Sequence, residues 1–264
     1  VCDLVSAIAL PSTPVTCLLD RKQDVHDVKI SPRQAHALKN ASQIFTLGQE
    51  MTPAIKKWLD NPITIVVGVS AIEIDEHHDD HVDHSAAKHD DRDDHIDEHH
   101  DDHDDHSAAK HDDRDDRDGH DHGDIDPHVW HDPHNIIKMG NVIYKNINKT
   151  ISFFDRDTKK VLKERTQSVN SILEDLDQWT QKQVATIPSD QSKIVSKHKA
   201  MEYYGDAFGL KTLSLLDVLG HSSSLRPQTI AKVITELREG NVQVLFPEQQ
   251  PPSKLLKNLS RQTS

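Results

Sequence analysis

The sequence predicts an α/β protein of two lobes, each a mainly parallel sheet flanked by helices, joined by one long rigid helix. Short β-branched runs alternate with helical patterns in both halves of the chain, the order that builds parallel sheets. A single helical pattern over residues 155–186 separates the halves. A low-complexity acidic stretch interrupts the first half and can contribute nothing to its core.

The first lobe is assigned residues 1–150. Val1 to Leu10 is apolar but has no basic leader or cleavage site, so it does not read as a signal peptide. No run approaches the roughly 20 apolar residues that span a bilayer. Strands are expected at Val15 to Leu19 and Ile63 to Val69, with a helical pattern from Pro32 to Leu59 between them. Ser31 suits an N-cap and Pro32 a first helical turn.

Residues 151–187 form the expected connecting helix. Val161, Leu162, Val169, Ile172, Leu173, Leu176, Trp179 and Val184 recur at helical spacing and predict a stripe of interlobe contact. Ile187-Pro188-Ser189 ends it. The second lobe, residues 188–264, resumes the alternation: strand at Lys193 to Ser196, helix near Ala200 to Phe208, strand at Thr212 to Leu216, helix at Pro227 to Glu239, strand at Val242 to Phe246.

The net charge of −13 is local in origin. Residues 75–124 hold 22 of the 44 acidic residues and 5 of the 31 basic ones, which leaves the rest of the chain slightly basic. An eleven-residue run from His84 to Asp94 recurs from His106 to Asp116. Nucleic acid is excluded as a partner for such an insert, because phosphate binding needs clustered Lys and Arg. Its thirteen histidines are His77, His78, His81, His84, His89, His95, His99, His100, His103, His106, His111, His120 and His122. Largely neutral at pH 7, they are free to coordinate metal, and weak, multi-site zinc binding is expected of the insert.

Outside the insert, His26 follows the first expected strand in Val25-His-Asp-Val-Lys-Ile-Ser-Pro32. His128 lies in Asp126-Pro-His-Val-Trp-His-Asp-Pro133, and His198 follows the strand Ile194-Val195-Ser196. Each sits beside a strand-to-helix connection, where open α/β sheets bind ligands. Three imidazoles converging from separate segments suit Zn²⁺. His36, His134 and His221 carry no such context and read as ordinary surface or hydrogen-bonded residues. Cys2 and Cys17 are too widely spaced for a C-x-x-C chelate, and the sequence favours two separate thiols over a disulfide.

These segments, with Val244-Leu-Phe-Pro-Glu-Gln249, resemble the metal-binding proteins of ABC importers for zinc and manganese, over nearly the whole chain. The resemblance implies that His26, His128 and His198 hold the metal and that Glu248, or water in its place, supplies a fourth ligand. It implies a monomer outside the inner membrane, in the periplasm, that delivers its ion to a membrane ABC permease and catalyses nothing. Manganese-type members resemble a set of two histidines and two carboxylates. A third imidazole favours Zn²⁺ as the ion held, and a His-rich insert before the D-P-H segment is likewise associated with zinc-type members. The insert would then act as an auxiliary collector or sensor. A manganese importer component and a metal-storage protein are the alternatives. Against the family pattern the chain is expected to lack a strand before its first helix and a final strand and helix. His131 stands where the family commonly has an apolar residue, which makes it a further candidate for the fourth position.

Overall fold

Proline, capping side chains and β-branched runs place the elements seen in the computed structural model, which describes residues 1–19, 25–26, 28–69, 125–153, 155–219, 227–247 and 254–263. Helix α1 (Cys2–Ile8) opens the chain and α2 (Pro32–Asn40) follows. The start of α2 is set by a capping box: the Ser31 hydroxyl accepts from the Gln34 N–H, and the Gln34 side chain accepts from the Ser31 N–H. Strands β1 (Ile44–Thr46) and β2 (Thr64–Val66) pair in parallel across a 3-10 turn, Pro53–Trp58.

After residue 125 come a 3-10 turn, Val129–His131, and helix α3 (Pro133–Thr150), capped by the Asp132 carboxylate on the His134 N–H. Helix α4 (Arg156–Val184) runs for 29 residues, about 43 Å at 1.5 Å per residue. In the second half β3 (Lys193–Ser196) and β4 (Lys211–Ser214) pair in parallel, with α5 (Glu202–Phe208), α6 (Leu215–Leu219), α7 (Pro227–Glu239) and α8 (Lys254–Thr263). Gly209, at φ 70°, closes α5 in the left-handed conformation that a Cβ disfavours.

Each half owns a core. Val5, Ile8, Val67, Val129, Met139, Ile143 and Leu162 are buried together in the first; Val195, Leu215, Val233, Leu237, Leu256 and Leu259 in the second. The long helix packs on α1 and α3 from one half and on α5 from the other. Tyr203 of α5 packs against the first core, so the halves touch beside the helix as well as through it. No described helix is long and apolar enough to cross a membrane.

Six sequence expectations need correction. Val15 to Leu19 is not a strand; it is irregular, and its Cys17 is bonded to Cys2 with Cα atoms 5.6 Å apart. The two cysteines are therefore not separate thiols. Residues 32–59 are not one helical pattern, because Ala41 turns extended at the end of α2 and the β-branched run Ile44–Thr46 finds a partner strand. Val242 to Phe246 makes only an isolated parallel bridge, Leu245 to Val195. The expected apolar stripe of α4 is packed only in part: Leu162 is buried and Val169 lies against the first core, whereas Ile172, Leu176 and Trp179 are exposed and the buried positions beside them are Thr166, Asp177 and Thr180. Helical spacing identified an apolar face there, and it cannot say which face meets neighbours. Helix α8 supplies Leu256 and Leu259 to the second core, beyond the last helix that the sequence suggested.

Leu162 has no exposed surface where α4 meets α1 and α3. Leu162→Ala should lower stability by about 2–5 kcal/mol, through lost burial and the cavity left behind. Chemical denaturation of the two proteins side by side measures it.

Candidate metal centre

Irregular backbone after residue 25, the 3-10 turn after β2 and the loop after β3 each deliver one histidine to a common point. His26, His128 and His198 offer ring nitrogens that all lie within 4.8 Å of one another, the one such group of three His, Cys, Asp or Glu residues among the described residues. Ring centroids are 5.7 Å apart for His26 and His128, 6.1 Å for His26 and His198, and 5.1 Å for His128 and His198. The Nε2 atoms of His128 and His198 are 3.3 Å apart.

His128 is the most deeply set, with 2% of its surface exposed. Pro127 extends the backbone so that the Asp126 side chain folds over it as an Asx turn. Its Oδ1 accepts from the His128 backbone N–H at 2.9 Å and lies 2.7 Å from His128 Nδ1. A carboxylate can only accept, so Nδ1 carries a proton, and Nε2 is the ring atom turned toward His198. Burial alone would raise the Asp126 carboxyl, but the side-chain and backbone hydrogen bonds from His128 outweigh it and hold the group below its ordinary value. His198 is fixed by the turn after β3, where the Ser196 hydroxyl donates to its carbonyl at 2.7 Å.

Around this trio stand Trp130, whose ring is 5.3 Å from both His128 and His131, and a lysine. Burial, with the charge of His128, pushes the His131 ring below its ordinary value and favours the neutral form. The Lys199 ammonium is held by Glu202 at 3.1 Å, which raises its pKa, and it sits within the field of Asp126. A cleft of about 100 Å³ beside His198 is lined by Ser196, Lys199, Glu202 and Asp217 among others. A larger open cleft of about 500 Å³, lined by Lys29, Lys56 and Lys57 among others, includes none of the three histidines.

The structure thus brings together His26, His128 and His198. Glu248, His221 and all thirteen histidines of the insert lie outside the described residues. His36 hydrogen-bonds within α2 to Asn40, and His134 faces Asp132 and Asp177, so neither joins the site. Asp126 is the functional residue that sequence reasoning did not name. The Asp-Pro-His order that makes its Asx turn is the signal that could have revealed it.

Two α/β lobes on one spanning helix, with imidazoles gathered between them, are the build of a metal-binding solute-binding protein. The family model for the periplasmic zinc-uptake complex component A matches residues 1–264, and the chain belongs to that family. Membership makes it an extracytoplasmic binding protein and not an enzyme. It is 27% identical over 121 residues to the manganese-binding lipoprotein MntA of Halalkalibacterium halodurans, covering 46% of this chain and 39% of that protein. It is 25% identical over 136 residues to the iron-binding protein YfeA of Yersinia pestis, covering 52% and 43%. These matches span about two fifths of the curated relatives' length. The fold matches that of the periplasmic zinc-binding protein TroA of Treponema pallidum at a TM-score of 0.69 and 16% identity, over 99% of this chain and 79% of that one.

Asp126→Ala would free the His128 ring and its tautomer. Loss of such an outer partner typically weakens metal affinity about 10- to 100-fold, the drop expected here by calorimetric titration with a divalent cation.

Proposed function

We propose that the protein captures Zn²⁺ with His26, His128 and His198 and delivers it to a membrane ABC permease. The supporting observation is the 3.3 Å between Nε2 of His128 and Nε2 of His198. Two ligands of a tetrahedral ion at Zn–N distances of about 2.0–2.1 Å lie about 3.3–3.4 Å apart. This pair of nitrogens is therefore spaced as two ligands of one such ion would be. The histidines come from both lobes, taken as residues 1–150 and 188–264 around the connecting helix at 151–187, so the ion bridges them.

Imidazole favours Zn²⁺ over the oxygen-preferring Mn²⁺, and the described donors are all imidazoles. The relative named for manganese favours a second reading, a manganese-binding importer component. Glu248 or a water is proposed as the fourth ligand, and one chain as the working unit. The insert, residues 75–124, is proposed to bind further Zn²⁺ weakly through its histidines and to raise the local supply or sense it. Nothing in this role calls on nucleic acid.

Calorimetric titration decides the main point. The protein should take up one Zn²⁺ tightly, and His198→Ala should weaken that site by more than about 100-fold, the upper figure for loss of a mere outer partner. Unchanged tight binding in the variant would remove the histidine from the site. Competition between Zn²⁺ and Mn²⁺ on the same protein separates the two metals, the zinc reading requiring that Mn²⁺ fail to displace Zn²⁺ at equal concentration. Deleting residues 75–124 should abolish the weak sites and keep the tight one. If weak sites survive the deletion, the insert is a spacer.

A further inference from the structure

We infer that the Cys2–Cys17 disulfide is a positioning element of the metal centre: it anchors the arm that carries His26, so that this ring stays in register with His128 and His198. The inference rests on the reading of His26 as a ligand.

The three histidines are not held alike. His128 is buried, sits at the cap of a 3-10 turn and is clamped by Asp126. His198 follows a paired strand directly. His26 belongs to no helix or strand, and the described residues from Pro11 to Leu19 and from Val28 to Ile30 are irregular as well. The C-terminal end of its arm is fixed at the Ser31 capping box. At the N-terminal end the described attachments are Cys17, the Leu18 carbonyl that accepts from the Gln34 amide, and the packing of Val15 against the first core and of Leu18 against a smaller cluster of Leu38, Ile44 and Ile55.

Cys17 differs from the other attachments in what it leads to. Its partner Cys2 begins α1, whose Val5, Ile8 and Ala9 are buried with Leu162 of the long helix. Arg165 of the same helix donates from Nε to the Ile8 carbonyl and from Nη2 to the Ser6 carbonyl, both at 3.2 Å, closing the C-terminal end of α1. The disulfide thus joins the His26 arm covalently to α1, which packs on the helix that carries both lobes. His26 lies nine positions after Cys17. A stretch of that length reaches up to about 30 Å when extended, against ring spacings of 5.7 and 6.1 Å at the site. Register on that scale calls for a firm anchor.

The experiment is a zinc titration of four proteins: the wild type, Cys2→Ala/Cys17→Ala, His26→Ala and the triple variant. Loss of the crosslink should weaken Zn²⁺ binding about ten-fold, as expected if the ring is in register about a tenth of the time. In the His26→Ala background the same loss should change nothing further. An equal weakening in both backgrounds would assign the disulfide a general structural role and overturn the inference, as would an unchanged affinity in the double variant. If His26→Ala itself binds Zn²⁺ as the wild type does, it is the ligand reading that fails. Should the double variant not fold, the wild type reduced in its folded state, capped with iodoacetamide and desalted, is titrated in its place and read by the same outcomes.

Discussion

Everything at the site turns on the approach of two ring nitrogens. Asp126 holds a proton on Nδ1 of His128, so Nε2 is the atom that this ring can offer to a metal. Nε2 of His198 lies 3.3 Å away. Two lone pairs at that distance would repel, so the approach needs a proton on one of the rings, giving a hydrogen bond, or a metal ion accepting both. The ion and the proton compete for one place, which makes metal uptake proton-linked. Burial sharpens the choice, since a half-satisfied polar group away from water is expensive.

That approach is held by a frame larger than the site. Strand β3 sets His198 and the turn before α3 sets His128, and these belong to different halves. Their relative position is carried by α4, which packs on α1, α3 and α5. Leu162 and Thr166 are buried in the first half of that helix, Asp177 and Thr180 in the second. Tyr203 closes the gap by packing on the first core. A continuous helix bends only gently, so the lobes gain little freedom from it and the ring spacing is kept.

The elements that could be read from sequence are those whose signal is long or repeated. Helix α4 declares itself over 29 residues, and Lys193–Ser196 and Pro227–Glu239 match the structure residue for residue. Short segments failed where tertiary partners decide. Val15 to Leu19 has strand-forming residues but no strand beside it, whereas Ile44–Thr46, hidden in a longer helical pattern, found β2. The cysteine pair was illegible because a fifteen-residue separation says nothing about distance until α1 forms and folds back. At the site, the three histidines were legible through their neighbours in the chain. The proton placement on His128 was not, since it depends on a side chain whose direction only Pro127 and the turn settle.

Charge around the histidines explains how a site built this way could hold an ion firmly and still release it. Imidazoles bring no negative charge of their own, and among the described residues Asp126 is the carboxylate that is hydrogen-bonded to one of them. Lys199 would work against the cation, but Glu202 absorbs most of its field through a 3.1 Å contact. An ion here is held by the geometry of its donors more than by Coulomb attraction. Such binding weakens steeply when one donor moves, because an imidazole withdrawn by an ångström or two ceases to coordinate, whereas a carboxylate at that distance still attracts.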